Sequence, residues 1–552
     1  MTTKITAGSR PWHANYDEGV RADYAPEVTT WTAMMNEAFA KHGDALAIEY
    51  YGDEYSFSRL KSLVAQGAAA LKAFGIEKGD RVALHLPNCP WHPIFFYATL
   101  AAGGVVTHLS PLDADREIAH KMKDSGAKLC ITLSTPELAR HFEGLVADGT
   151  VPHLVQCDDP ISGAGRACPL VGGAQSLEDF WGAHDGATYD PVPTQPSDTA
   201  LLQFTGGTTG LPKAAVLTQA NLAASVLMYH ENSTGEPATA PGARSLVYSP
   251  LFHIMGLVTA LMKRTYEGGI VHLRLRFDPV AALKEIEEKG IASMGGVPTT
   301  WIALLQVPGA RAEQFKSLSF VSSGGAPMPV EVFNRVKAMT GLKVRGGWGM
   351  TETCAGGTLI PRDMPEDKVG TIGIPLPACD MKIVDIEDHT RELGIGETGE
   401  IAVRGPHVTS EYWQNPGATA ESIFEGWLLT GDVGYMDEDG YFFLVDRKKD
   451  LILSGGFNVY PLVIEKAVHE HPSVSEAMAI GVPDDYRGES AKVFVALNAG
   501  ADPFTLEELQ AFLDDKLGRY EMPRFLEFRE ELPHTSVGKA DRKALKAEIA
   551  KA

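Results

Sequence analysis

The sequence predicts an α/β protein with a large N-terminal part, made of two doubly wound αβ subdomains and a β-rich subdomain, and a small α+β C-terminal domain. Three observations carry that expectation. Apolar strands alternate with helical stretches between 81 and 133, the same rhythm returns between 246 and 350, and short glycine-punctuated strands fill 379–445. Strand–helix–strand repetition builds parallel sheets with helices on both faces.

In chain order, ALAIEYYGDEYSFS at 45–58 predicts a hairpin around Gly52-Asp53, and 58–74 an amphipathic helix stopped by Gly75. RVALHLPN at 81–88 reads as a buried strand, 91–102 as an apolar helix, and GGVVTHL and KLCITL as further strands. ALLQF precedes a glycine-rich loop. From 246 come SLVYSP, a helix near 256–266, GIVHLRL, a helix over 278–289, SMGGVP, SLSFVSSGG and LKVRGGWG. DMKIVDI, GEIAVRG and GYFFLVD place the β-rich subdomain at about 371–446. Beyond Asp446-Arg447-Lys448-Lys449-Asp450, a helix over 461–470 and the strand KVFVALN form the tail. The domains are therefore expected at 1–446 and 447–552.

Composition narrows the function. The 552 residues are 44% hydrophobic and carry a formal charge of -22, which argues against a nucleic-acid groove or a general phospholipid-binding face. Six cysteines, Cys89, Cys130, Cys157, Cys168, Cys354 and Cys379, show no metal-finger spacing and read as thiols of a reducing compartment. The first twenty residues have no apolar signal core. The longest weakly polar run, 95–109, falls short of the ~20 residues a spanning helix needs. The cytoplasm is the expected location.

The chemistry begins at Thr205-Gly206-Gly207-Thr208-Thr209-Gly210-Leu211-Pro212-Lys213. Glycines let the backbone approach an anion closely, and successive N–H groups make an anion-binding nest. Hydroxyls and a lysine add donors for phosphate oxygens. The Walker pattern needs Gly-Lys-Ser/Thr, whereas here Pro212 precedes the lysine and Ala214 follows it. This is a different phosphate loop.

FTGGTTGLPKAAVLTQANL resembles the signature of the adenylate-forming acyl-CoA synthetases, a family that includes luciferases and peptide-synthetase adenylation domains. The resemblance runs from about Ala45 to Lys543, with its motifs in the family's order. Gly206 stands where serine is usual, Ala214 where glycine is usual, and Val463 where many relatives carry glutamate.

The resemblance implies roles for particular residues. His253, in SPLFHIMG, would orient the carboxylate or gate the acyl site. Gly325, Ala326 and Pro327 would lie along the adenine face. In GGWGMTE, Trp348 stands in a common tyrosine's place and would stack on adenine beside Gly349. Thr351 would bond the α-phosphate and Glu352 would hold Mg²⁺. Asp432 resembles the ribose clamp, with Arg447 as its partner. Lys539, in LPHTSVGKADRK, matches the lysine of adenylation, where a cation must offset charge as one anion attacks another. Lys449 matches a hinge about which the C-terminal domain rotates, after which Gly455 and Gly456 would line the pantetheine channel.

The implied cofactors are ATP, Mg²⁺ and coenzyme A. The implied partners are a small-molecule carboxylic acid, ATP and CoA, with no nucleic acid, no transmembrane segment, and a homodimer as a candidate assembly. Small residues, among them Gly256, Gly295, Gly296, Gly324, Gly346, Gly347, Ala355 and Gly356, leave room for the acyl group. Met255, Leu257, Val297 and Trp301 are expected to line it. A medium- or long-chain fatty acid is the favoured substrate, since a second carboxylate would be buried without a partner. An aromatic or alicyclic acid comes next. A dicarboxylate is third, because Lys263, Arg264 or Arg345 could reach in. A ligase serving a carrier protein, a luciferase-like oxygenase and a non-enzymatic sensor are the rival classes.

Overall fold

The structure is a computed structural model that describes residues 10–158, 168–205, 212–324, 328, 330–454, 457–484, 486–534 and 540–549. Two seven-stranded sheets of one design form its large N-terminal part. The first runs Gln175–Ser176, Leu154–Cys157, Leu129–Leu133, Arg81–His85, Val105–His108, Thr199–Thr205 and Lys213–Thr218. The second runs Arg345–Gly346, Phe320–Ser323, Ser293–Gly296, Arg244–Val247, Ile270–Leu273, Leu46–Tyr50 and Asp53–Ser56. In each, the neighbours pair in parallel until one antiparallel hairpin closes an edge. Parallel neighbours require crossovers, and the helices supply them.

Local chemistry sets these helices. Ser56 caps Phe57–Phe74 by accepting from the Arg59 amide, and Gly75, at φ 100°, ends it. Gly67 allows close packing, because a Cβ there would stand 2.9 Å from the Ala98 methyl. Ala98 belongs to Trp91–Ala101, whose residues from His92 onward are all buried. A helix apolar on every side belongs between layers, and this one lies in the main core.

A five-stranded antiparallel sheet of Asp380–Val384, Gly399–Arg404, Trp427–Met436, Ile423–Phe424 and Phe442–Arg447 is the β-rich subdomain. The smaller C-terminal part pairs Phe457–Val459, Ile452–Ser454, Gly488–Leu497 and Val474–Asp484, with Phe525–Phe528 parallel to Gly488–Leu497. Among the described residues no helix is long and apolar enough to cross a membrane.

Three elements near the strand ends differ from the sequence reading. The helix expected near 256–266 is a π-helix, Gly256–Met262, running into the α-helix Lys263–Glu267. Only glycine fits at its start, since a Cβ on Gly256 would meet the Pro250 carbonyl oxygen at 2.3 Å. The helix Gln219–Asn232 was not foreseen, although Thr218 and Asn221 form a reciprocal cap at its start. Lys213–Thr218, also unforeseen, is an edge strand antiparallel to Thr199–Thr205.

Glu267, 5% exposed, ends that α-helix in a cationic nest: Lys263 Nζ at 2.8 Å, an Arg264 nitrogen at 3.0 Å and His230 Nδ1 at 3.0 Å. Burial alone would raise its carboxyl, but Lys263 and Arg264 reverse this and hold it at about 2, against a usual 4.5. The folded value lies below the unfolded one. The stabilisation is therefore complete above about pH 4.5 and is lost as pH falls toward 2. Between pH 6 and pH 3 the urea-unfolding advantage of the native protein over Glu267→Gln is expected to shrink by about 2 kcal/mol. A difference that does not change with pH would contradict this assignment.

Candidate active site

Ligands of open α/β sheets gather beyond the carboxyl ends of the strands, and Thr205, His253 and Trp348 lie at or beyond strand ends of the two parallel sheets. Thr205 ends one strand and Lys213 begins its antiparallel neighbour; the two face each other in register. The Thr205 hydroxyl donates to the Lys213 carbonyl at 3.3 Å, fixing both feet of the glycine-rich loop. Gly206, Gly207, Thr208, Thr209 and Gly210 lie outside the described residues. On the second sheet, Ser323 leads into Gly324, with Gly325, Ala326 and Pro327 also outside them. Gly346 leads into Trp348 and Gly349.

The turn after Trp348 is tightly wound. Gly349 bridges Gly357, and Cys354 and Ala355 hold positive φ values of 47° and 66°. Non-glycine residues in that region mark stored strain, which clusters at functional sites. The wound turn buries Glu352 to 5% exposure. Its backbone carbonyl accepts from the Thr409 amide at 2.7 Å, and its Oε1 accepts from the Tyr412 hydroxyl at 2.7 Å. The Tyr412 ring carries Lys213 Nζ 3.6 Å from its centroid. Burial lowers the Lys213 ammonium's proton affinity; Glu352 opposes that shift and Lys449 adds to it. Burial and then Glu352 raise the Tyr412 phenol, which stays protonated and a donor. Among the described residues Glu352 forms no ion pair with lysine or arginine. A buried carboxylate left this way suits a hard divalent cation.

Beside this cluster, Trp348 Nε1 donates to Asp432 Oδ2 at 2.7 Å, and Arg447 Nε lies 3.1 Å from Asp432 Oδ1. Strand register places Asp432 opposite Arg447. Asp432 is buried while the Arg447 side chain is 57% exposed, so the pair joins a fixed carboxylate to an open cation. Next to it, Lys448 Nζ donates to Glu400 Oε2 at 3.0 Å and the Lys448 amide to the Gly431 carbonyl at 2.8 Å.

His253 lies in the segment between the strand Arg244–Val247 and the π-helix. Two side chains from the first sheet hold that segment. Asn88 Nδ2 donates to the Ser249 carbonyl at 3.0 Å and its Oδ1 accepts from the Leu251 amide at 2.8 Å. Gln203 Nε2 donates to the Phe252 carbonyl at 2.9 Å. π-Helical turns recur at functional sites, and this one begins three residues after His253. A Cβ on Gly324 would lie 3.1 Å from Met255 Sδ, so the two segments approach closely there.

The acyl-lining expectation needs correction. Met255 and Val297 are partly exposed, but Leu257 and Trp301 are core residues. Trp301 is turned inward with its Nε1 donating to the Ser322 carbonyl at 3.0 Å. The three cations expected to reach a second carboxylate are all occupied. Lys263 and Arg264 serve Glu267, and buried Arg345 pairs with Glu236 and with Asp17.

Lys539, Gly455 and Gly456 lie outside the described residues. Around the first, His534 and Ala540 form a bridge, and Arg542 grips Glu465 with Nε at 3.1 Å and Nη2 at 2.5 Å. Elsewhere, Glu49, His272 and Glu285 approach within 4.8 Å of one another. Arg274 already bonds both carboxylates there, at 2.5 and 2.6 Å, making the group an ion-pair network.

Residues 35–413 match the AMP-binding enzyme family, and residues 463–539 match its C-terminal domain. The chain belongs to the AMP-binding enzyme family. Within that family it is similar to a long-chain-fatty-acid–CoA ligase of Bacillus subtilis strain 168, 36% identical over 553 residues, with 97% of each chain covered. It is 35% identical over 497 residues to a feruloyl-CoA synthase of an Amycolatopsis species, covering 90% of this chain and 94% of the relative. Among solved structures, ATP-bound MatB from Rhodopseudomonas palustris superposes with a TM-score of 0.84 at 28% identity, covering 94% of this chain and 99% of that one.

Sequence reasoning missed Tyr412, Asn88 and Gln203. Tyr412 sits in EYWQNP, where adjacent aromatics before an Asn-Pro turn were the only cue. The other two are single amides with no motif around them. The wound turn offers a direct test, because a Cβ on Gly349 would stand 1.9 Å from the Ala355 carbonyl oxygen. Gly349→Ala is expected to lower nucleotide affinity at least tenfold by calorimetry. Gly144→Ala, where a Cβ meets nothing within 4 Å, should leave it unchanged.

Proposed function

We propose that the chain joins a medium- or long-chain fatty acid to coenzyme A through an acyl-adenylate, releasing AMP and pyrophosphate. It is an AMP-forming acid–thiol ligase that uses ATP, Mg²⁺ and CoA. The observation that carries the substrate assignment is the internal pairing of Lys263, Arg264 and Arg345. With those cations engaged, a second substrate carboxylate would be buried unpaired at high cost. The named activity of the Bacillus relative supports the same reading. The similarity to a feruloyl-CoA synthase favours an aromatic acid as the second reading.

In the first step a carboxylate oxygen attacks the α-phosphorus and the bond to pyrophosphate breaks. Thr205, the loop amides of 206–210 and Lys213 hold the outgoing phosphates, and Thr351 donates to the α-phosphate. Glu352 would hold Mg²⁺, which neutralises charge on the phosphate oxygens. Trp348, Gly349 and 325–327 flank the adenine, while Asp432 accepts from the ribose hydroxyls and Arg447 steadies it. His253 orients the acid. Lys539 offsets charge as two anions join. In the second step the CoA sulfur attacks the acyl carbon and AMP departs. For this the C-terminal domain, 447–552, turns about Lys449 and brings Gly455 and Gly456 to the pantetheine. Cytoplasmic location is supported by six cysteines that form no disulfide.

A panel of acids from hexanoate to oleate, with ferulate, benzoate and succinate, assayed for CoA-dependent AMP release, tests the assignment. Fatty acids should exceed benzoate and succinate at least tenfold in kcat/KM. A preference for ferulate would select the second reading, and turnover of succinate alone would overturn both.

Lys539→Ala is expected to lower acyl-adenylate formation by about 100-fold or more, yet leave conversion of supplied acyl-adenylate and CoA within a few-fold. Lys449→Pro should do the reverse, retaining ATP–pyrophosphate exchange while losing thioester formation. Equal losses of both half-reactions in either folded variant would contradict the division of labour.

A further inference from the structure

We propose that Tyr412 is a positioning residue that holds the phosphate-loop lysine and the metal-holding carboxylate in place while keeping them from pairing with each other. The proposal rests on the functional reading above and adds a residue to it. Tyr412 is 4% exposed, and its hydroxyl donates to Glu352 Oε1 while its ring face receives the Lys213 ammonium.

The backbone explains why the ring stays there. Residues 411–413 run alongside the edge strand that begins with Lys213. Tyr412 bridges Ala215, the Val216 amide donates to the Glu411 carbonyl at 3.1 Å, and the Trp413 amide donates to the Ala214 carbonyl at 2.8 Å. Thr409 ties the same segment to both neighbours. Its hydroxyl donates to the Val216 carbonyl at 2.6 Å and its amide to the Glu352 carbonyl at 2.7 Å. One short segment thus fixes the distance between the lysine's strand and the glutamate's turn.

The chemistry calls for such a spacer. A lysine and a glutamate buried side by side form an ion pair that consumes both charges. Here the ammonium must remain available to phosphate and the carboxylate to a divalent cation. An aromatic face holds an ammonium without consuming an anion, and a phenol fills one carboxylate oxygen while leaving the group ionised. Groups that orient metal ligands in this way commonly govern metal affinity by 10- to 100-fold.

The test separates the two faces of the ring. Tyr412→Phe keeps the cation–aromatic contact and removes the phenol; Tyr412→Leu removes both. Binding is read with Mn²⁺ as the probe, by electron paramagnetic resonance with and without ATP, and by calorimetry of metal-free ATP. In Tyr412→Phe, Mn²⁺ affinity in the presence of ATP should fall about tenfold. Metal-free ATP affinity, the KM for the acid and turnover of supplied acyl-adenylate should stay within about twofold. Tyr412→Leu should also lose at least fivefold in metal-free ATP affinity. In a Glu352→Gln background, Tyr412→Phe should change Mn²⁺ binding no further, which guards against a merely structural effect. If Tyr412→Phe binds Mn²⁺ and ATP as the native protein does, or weakens both equally, the proposal is overturned. Failure of the native protein to exchange pyrophosphate with any acid would instead overturn the functional reading itself.

Discussion

Lys213 opens an edge strand of the first sheet, Glu352 lies in the wound turn after the second, and the ring of Tyr412 touches both. Much of the surrounding structure serves that meeting. The antiparallel edge hairpin sets Lys213 at the mouth of the glycine-rich loop. The strained turn at Cys354 and Ala355 drives Glu352 inward, and the segment 406–415 packs between them. Nucleotide chemistry needs a dense arrangement of opposite charges that do not cancel one another. A polar aromatic spacer in a site with little water is one physical solution, since electrostatic interactions strengthen there and uncompensated groups become costly.

The two central sheets share a plan, but a shared plan does not align them. Asn88 and Gln203 do that work from the first sheet, each bonding backbone groups of the segment that carries His253. Gln203 lies two residues before Thr205, and its Oε1 accepts from His108 Nδ1 at 2.8 Å. The strand that ends in the phosphate loop therefore also fixes the segment assigned to the acid. In the proposed mechanism one strand then serves both the nucleotide and the acyl sides, which suits a reaction in which both must be placed to within a fraction of an ångström.

Legibility in the sequence followed the kind of signal each element leaves. Glycine- and threonine-rich motifs announced the loop after Thr205 and the turn around Glu352, because backbone approach to an anion restricts composition. Period-two and apolar runs gave nearly every central strand. What escaped were pairings whose meaning is tertiary. Lys213–Thr218 looked like a tail of the loop and is an edge strand. Lys263, Arg264 and Arg345, which kept a dicarboxylate open as the third reading, are held by Glu267, Glu236 and Asp17. Trp301 looked like pocket wall and is core. Residue type stated what each group could do; only the fold stated which partner had already taken it. Lys539 and Gly206, Gly207, Gly210, Gly455 and Gly456 rest on the motifs alone, since they lie outside the described residues.

Attack of the acid on the α-phosphorus is the step on which most of the assigned roles converge. It can be followed directly with a fatty acid carrying ¹⁸O in both carboxyl oxygens, incubated with ATP, Mg²⁺ and CoA. The expected result is one ¹⁸O in the phosphoryl group of AMP and none in pyrophosphate. Label appearing in orthophosphate alongside ADP, or AMP formed without label, would contradict acyl-adenylate chemistry at this site.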